Sequence, residues 1–449
     1  MLWSTVFNRR LVWILFIFFA CQTNAFTQTD EWVAYQSPAD AGFDSSQIRK
    51  AHDYYDSLGA AGAFVVYKDH VLINWGQNSH RFMCASVRKS FLSALVGIEV
   101  TAGHMFLKQT LKDFGVDDRV PLTAAELEAT VSDLLTSRSG VYIPAAYEAK
   151  SWADRRPARG SHKHGTFWYY NNWDFNVLGH IYEKTVHESI AEAFGKKIAA
   201  PLGMEDFRLF DVSNFYIKTG SKYPAYTFKM SARDMARFGL LYLRNGKWNV
   251  EQVIPEKWIK ESTSSKVLFD DGYGYGFLWW STSVNGHRVY FAKGTGVQGI
   301  YIVPDMDIVF VFRVNTYGRS NIDDGKELRL LSMIMDGKVR EEEKTPQLVS
   351  IKWEPASKKL NSIPDVSIAS KIIGKYEHPQ LGSMEVLKNT NGLVLHTNPA
   401  DFIMYPWTDS TAYVEDLDMV ARLKKNKAKQ GTVEFGGDKE GSTLIFYIE

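Results

Sequence analysis

Residues 82–100 read FMCASVRKSFLSALVGIEV, a serine and a basic pair followed at once by an apolar run. Phe91, Leu92, Leu95, Val96 and Ile98 recur as they do on a helix buried on most of its sides, which puts Ser86 in the first turn. Lys89 then lies on the serine's face, because residues three apart on a helix are neighbours, and its ammonium reaches the hydroxyl. Burial and the positive end of the helix both push a lysine at that place towards its neutral form. The serine's own backbone N–H, at a helix start, can point at a developing oxyanion. This combination suits acyl transfer. Taken alone, Ser-x-x-Lys also describes a helix cap with a solvated lysine, so the rest of the chain has to decide. Cys84, two residues before the serine, reads as a small buried hydrophobe rather than a second nucleophile.

The composition sets the outer limits. With 449 residues, 45% hydrophobic and 14% aromatic, the chain can bury at least one large core. Lys plus Arg number 52 and Asp plus Glu 51, so no global field favours nucleic acid or an anionic membrane, and no nucleic-acid partner is expected. Arg9 and Arg10 precede the short apolar run Leu11–Ala20, which reads as a signal peptide over residues 1–25. Cleavage after Ala25 releases a soluble form, and cleavage before Cys21 leaves a lipidated, membrane-anchored one. Either way the expected location is the periplasm or the exterior. Cys21 and Cys84 are the only cysteines, so processing leaves at most one thiol, with no disulfide and no cysteine-built zinc site. No metal or cofactor is called for.

From Trp32 to Asp336 helical and strand patterns alternate. GAFVVYKDHVLINWG (62–76) reads as two strands turning at Lys68, Asp69 and His70, and GIYIVPDMDIVFVFRVN (299–315) as a second hairpin around Pro304 and Asp305. Strands from both ends are expected to pair in one antiparallel sheet. Between them the pattern is mostly helical, including TAAELEATVSDLLTSRSG (123–140) read as one helix stopped at Gly140. The predicted organisation is an α+β domain over residues 26–340, a charged and proline-bearing linker over 341–368, and a small barrel-like all-β domain over 369–449, where short strand runs alternate with Asn-Gly and Gly-Gly turns.

A second chemical stretch, GTFWYYNNWDFNVLGHIYEKT (165–185), places Tyr170 and Asn172 where a loop leads into a helix. Phe167, Trp168, Tyr169 and Trp173 around them read as core. Together SVRK, YNN and AKGTGVQGIYIVPDMDIVFVF, in that order, resemble the penicillin-recognising serine hydrolases of the class C β-lactamase-like family. VSDLLTSRSGV, PLGMEDF, KMSARDMARFGLLYLRNGKW and YGYGFLWW fit as well. GTFWYYNNWDFNVLG looks most like the branch of 6-aminohexanoate-dimer hydrolase-type amidases and esterases, and the tail resembles a lipocalin-like accessory domain.

The resemblance implies a β-lactamase/transpeptidase-like fold with an inserted helical region. Ser86 would be the nucleophile, Lys89 would share its proton, Tyr170 as a phenolate favoured by Lys89 would be the general base, and Asn172 would orient Lys89 or the substrate. The third motif departs from the family's Lys-Thr-Gly: Lys293 to Gly296 read KGTG, and counting back from the Pro304 turn puts Gly294, Thr295 and Gly296 in the motif and swings Lys293 to the opposite strand face. Gly294, Thr295, Gly296 and Gln298 are then the substrate-binding candidates, with a backbone oxyanion donor between Gly296 and Gln298. Without a cationic anchor the expected substrate is a small ester or amide rather than a β-lactam. The other readings are a true β-lactamase or D-amino-peptide peptidase, and a penicillin-binding-like sensor with little turnover. A Ser-His-Asp enzyme is disfavoured, since no Gly-x-Ser-x-Gly elbow occurs. DRRPARGSHKHG (154–165) reads either as a solvated loop or as a basic rim selecting anionic substrates.

Overall fold

A computed structural model describes residues 31–316, 322–353 and 370–448, the last stretch without residues 379–381, 390–391, 398–400, 409–410, 415–418, 426–430 and 437–443. The expected leader and Cys21 lie outside the described residues.

The chain enters through β1 (Val33–Tyr35), α1 (Ser45–Leu58) and the hairpin β2 (Gly62–Tyr67) and β3 (His70–Gly76). The hairpin turns at Lys68 and Asp69, both at positive φ, as the tight turn of a right-twisted ribbon requires. The inserted region carries β4 (Phe82–Met83), α2 (Arg88–Ala102), α3 (Ala124–Leu127), α4 (Val131–Leu135), α5 (Lys150–Ala153), α6 (Asn172–Val186), α7 (Ile190–Phe194), β5 (Val212–Phe215), β6 (Ala225–Met230), α8 (Ala232–Leu243), the two-residue pair β7 (Lys247–Trp248) and β8 (Glu251–Gln252), and α9 (Glu256–Thr263). The chain then returns to the sheet through β9 (Val267–Leu268), β10 (Gly274–Tyr275), β11 (Trp280–Val284), β12 (His287–Lys293), β13 (Gly299–Val303) and β14 (Ile308–Arg313), followed by α10 (Lys326–Asp336) and β15 (Leu348–Ser350).

The strands form one sheet in the order β15-β1-β3-β2-β14-β13-β12-β11-β10-β9, antiparallel except for β1 beside β3. As expected, strands from the two ends meet: Ile308 pairs with Tyr67 and Arg313 with Gly62. The sheet is buried on both faces. Along β14, Val309 and Val311 join the core under α2, α6 and α8, while Ile308, Phe310 and Phe312 join the core under α1 and α10. Nearly continuous apolar runs follow from that double burial.

Two expectations are corrected. The stretch 123–140 is two short helices, because Thr123 and Thr130 each start one with a capping box closed by Glu126 and Asp133. Within the stretch read as linker, Leu348–Ser350 pairs with β1 and Trp353 packs against Phe64, so its first part belongs to the sheet edge. Beyond it, β16 (Gly374–His378), β17 (Gly382–Asn389), β18 (Gly392–Thr397), β19 (Asp401–Thr408), β20 (Thr411–Val414), β21 (Met419–Lys425), β22 (Gly431–Gly436) and β23 (Leu444–Ile448) form a closed antiparallel barrel, sealed by Tyr376 opposite Ile448.

Phe310 sits fully buried in the middle of the sheet. Phe310→Ala is expected to destabilise the main domain by about 3–5 kcal/mol, read as a lowered urea midpoint with little change in slope.

Candidate active site

The serine is held by the sheet through a chain of backbone anchors. Cys84 N donates to Phe228 O of β6 at 2.7 Å, and Arg313, at the end of β14 and fully buried, donates from Nη2 to Phe82 O at 2.8 Å. Between these anchors the chain turns sharply, with Ala85 at φ +47°, a conformation costing a residue with a Cβ about 1–3 kcal/mol. A single 3-10 turn, Ala85–Val87, presents Ser86 and runs directly into α2. Gly294, just past β12, packs on this turn so closely that a Cβ would meet Cys84 O at 2.6 Å and Ser86 N at 3.1 Å. Cys84 is buried and its thiol is pushed up to about 11 by that burial, in keeping with a packing residue.

Lys89 Nζ stands 2.7 Å from Ser86 Oγ and only 2% of the residue is exposed. Its nitrogen also lies 4.6 Å from the Tyr170 ring centre and 4.7 Å from that of Phe175. Desolvation first, and the neighbouring Arg88 charge second, hold the lysine well below its ordinary range. Solvated capping is therefore not its role. Tyr170 is buried as well, and burial pushes its phenol up to about 12 against the smaller downward pulls of a Ser86 hydrogen bond and the Arg88 charge. This corrects the expectation of a resting phenolate: burial disfavours the charged form of the phenol and of the lysine alike.

Tyr170 is placed by the loop ahead of α6. Ser137 Oγ donates to Tyr169 O at 2.6 Å and accepts from Asn171 N at 3.0 Å, and Asn171 caps the helix by accepting from Trp173 N at 3.2 Å. Asn172 donates from Nδ2 to Tyr147 O at 3.1 Å, and its Oδ1 has no hydrogen-bond partner. It thus holds the Tyr147 turn, at φ +64°, and makes no hydrogen bond to Lys89.

Ser86, Tyr170, Asn172, Gly294 and Thr295 share the wall of one cavity of about 570 Å³. Gly296 and Gln298 do not reach it. Gly296, at φ +78°, faces Thr316, and Gln298 is fully buried with Nε2 donating to Thr295 O at 3.3 Å, so both shape the turn between β12 and β13. Lys293 does line the cavity, contrary to the register argument, because β12 runs regularly to that residue before the turn begins. Its ammonium is closed by Asp324 Oδ1 at 2.9 Å and Glu327 Oε1 at 3.0 Å.

Much of the remaining wall is aromatic. Trp168 packs on Phe269 with ring centres 4.6 Å apart, Trp280 lies over Tyr170 at 5.9 Å, and Trp152 flanks Tyr170 at 5.2 Å. Trp168 is thus a cavity residue rather than core, and Phe167 is exposed, while Tyr169 and Trp173 are core as expected. Sequence reasoning missed Tyr147, Trp152, Phe269, Asp271, Tyr273, Trp280 and Asp324. Tyr273 and Trp280 are the two ends of YGYGFLWW, a stretch that supports the family resemblance without marking a site, and the others come from separate parts of the chain with no motif in common. None of the residues 154–165 lines the cavity. Arg156 pairs with Glu148, Arg159 Nη2 with Glu126 at 2.7 Å, and His164 with Asp133 at 3.0 Å, so these charges hold the loop rather than face the site.

The profile of the Beta-lactamase family matches residues 48–332, more than half of the chain. The protein belongs to the Beta-lactamase family. That family is one of serine hydrolases working through an acyl-serine. A 6-aminohexanoate-dimer hydrolase of Bacillus anthracis, so described on a putative basis, is 20% identical, with 64% of this chain and 80% of that one covered at a TM-score of 0.49. An octameric penicillin-binding protein homologue from Pyrococcus abyssi is 16% identical, covering 90% of this chain and 99% of its own at 0.51. A class C beta-lactamase is 14% identical, covering 66% and 98% at 0.50. At such identities the likenesses to the Pyrococcus abyssi homologue and the class C beta-lactamase concern the fold alone, a β-lactamase/transpeptidase-like sheet with helices.

In this β-lactamase-family domain, Gly294 meets the serine's turn without room for a methyl group. Gly294→Ala is expected to keep the fold but slow covalent labelling of Ser86 by a fluorophosphonate by about 10²-fold, the order that a misplacement near 1 Å costs, read by intact mass against time.

Proposed function

We propose that the protein is a hydrolase of small esters or amides with an apolar body, acting through an acyl-Ser86 intermediate. The observation that carries the reading is the contact of 2.7 Å between Ser86 Oγ and the nitrogen of a buried lysine whose charged form burial disfavours. A hydroxyl is a poor nucleophile until a positioned base takes its proton, and a neutral amine at that distance supplies about 10²- to 10⁴-fold. Lys89 accepts the proton as Oγ attacks the carbonyl carbon. The negative oxygen that develops faces backbone N–H groups of Ser86 and Thr295, where each donor is worth about 10²- to 10³-fold. The Tyr170 phenol passes the proton on to the leaving oxygen or nitrogen as its bond to carbon breaks, and is reprotonated from Lys89. Water then enters by the reverse route and releases the acid.

The substrate class follows from the wall. Trp152, Trp168, Phe269 and Trp280 offer stacking surface for an acyl or leaving group, and among the described residues the one cation on the wall, Lys293, is spent on Asp324 and Glu327 rather than held ready for a β-lactam carboxylate. In the same proposal the leader over residues 1–25 carries the enzyme to the periplasm or beyond, with lipid on Cys21 as the anchored form.

Intact mass after fluorophosphonate treatment tests the chemistry. The wild type is expected to gain one adduct, Ser86→Ala none, and Lys89→Met and Tyr170→Phe each a rate lowered by at least about 10²-fold. An unlabelled wild type would refute the hydrolase reading and leave a binding protein. Substrate choice is tested by comparing p-nitrophenyl butyrate with nitrocefin, for which kcat/KM is expected to favour the ester by ~10² or more, the order of one missing charge-assisted anchor. Rapid nitrocefin turnover would overturn that assignment.

A further inference from the structure

Between the nucleophile and its base lies Arg88, the first residue of α2, and it is fully buried. A guanidinium keeps its proton at any ordinary pH. Buried ones are normally closed by a carboxylate, since an uncompensated charge in the interior is costly. Here Nε donates to Tyr226 O, while among the described residues Nη1 and Nη2 have no hydrogen-bond partner and no ion pair reaches the group. Its planar head instead lies 5.2 Å from the Tyr147 ring centre and 4.9 Å from that of Tyr226, two aromatic faces that soften the cost without neutralising the charge. Arg88 does not line the cavity, whereas Tyr147, which covers it, does. The chain therefore keeps a sealed, permanent positive charge next to Lys89 and out of the substrate's reach.

We propose that Arg88 is a positioning residue that acts through Lys89: its buried guanidinium, with Nη1 and Nη2 unpaired, is a fixed positive charge that adds to burial in setting the lower pH limit of the reaction. This rests on the reading of Ser86 and Lys89 as nucleophile and base. The other groups on the elements packed against Lys89 do not supply the effect. Ahead of α6 stands Tyr170, on α6 desolvation raises the buried Asp174 carboxyl well above its ordinary range, and β6 carries Tyr226 and the buried Lys229. On β12 Lys293 is closed by two carboxylates. Glu192 of α7 and Glu256, Lys257 and Lys260 of α9 are exposed, and Glu261 of α9 is partly so. Of all these, Arg88 is the charge that acts on Lys89, in the same direction as its burial.

The sign is definite. A nearby positive charge disfavours the ammonium, so removing it lets Lys89 hold its proton to higher pH and withdraws the base from neutral solution. The test is the rate of Ser86 labelling by a fluorophosphonate between pH 5.5 and 10 for the full-length wild type, Arg88→Met, Arg88→Gln and Arg88→Lys. In the two neutral variants the acidic limb is expected to move up by at least about one pH unit, a tenfold loss at pH 7, with a plateau at high pH near the wild type's. Arg88→Lys puts an ammonium under the same burial that disfavours the Lys89 cation, so it is expected to move the limb with the neutral variants rather than restore it. A lowered plateau on an unmoved limb would mean a merely structural role and overturn the proposal. The wild type decides the matter if the neutral variants do not fold, because a limb at the ordinary lysine value of about 10.4 would also overturn it. A wild type that takes no label at all would instead strike the hydrolase reading itself.

Discussion

A lysine sealed from water beside a serine hydroxyl is the constraint on which the rest of this structure depends. Nothing about Ser-x-x-Lys forces that state; on an exposed helix the ammonium would stay solvated and inert. Here α2 is driven into the interior by an apolar surface on nearly all sides, and its two buried serines are satisfied internally: Ser90 and Ser93 donate to Leu278 O and Phe277 O at 2.8 and 2.7 Å. Lys89 has no carboxylate to close it, and its nearest neighbours are a hydroxyl and two aromatic rings. Burial thereby disfavours the lysine's cation and pushes the Tyr170 phenol up, and in the proposed mechanism the two groups stand at opposite ends of one proton path.

Holding the serine to that path requires the sheet. The turn at Ala85 is strained, and it persists because Cys84 is tied to β6, Phe82 to the Arg313 guanidinium at the end of β14, and Gly294 closes over it from β12. Three strands distant in sequence thus over-determine three residues. The arrangement separates positioning from specificity: the sheet and α2 carry the chemistry, while the loops before α6 and around β10 and β11 bring the aromatic wall.

The third motif illustrates how one residue type takes different roles by its neighbours. Lys293 faces the cavity, as a carboxylate anchor would, yet Asp324 and the buried Glu327 hold its ammonium. The charge stabilises the junction between β12 and α10 instead of waiting for a ligand. The basic stretch 154–165 makes the same point, since Arg156 and Arg159 are consumed by Glu148 and Glu126.

Local spacing determined what lies near in the chain. The helical register of Ser86 and Lys89, the two hairpins at Lys68–Asp69 and Pro304–Asp305, and the loop-to-helix placement of Tyr170 and Asn172 were legible because each depends on periodicity or turn chemistry within a few residues. The break of 123–140 into two helices was legible in principle, since Thr123 and Thr130 each begin a capping box, but the apolar spacing masked it. Tertiary structure alone decided which charges are free, which aromatic rings face the cavity, and that Gln298 and Gly296 serve a turn. It also placed Asn172 on Tyr147 O and left Arg88 unpaired. Those outcomes are set by desolvation and by partners tens to hundreds of residues away, such as Glu327 for Lys293 and Trp280 for Tyr170, and no local pattern encodes them.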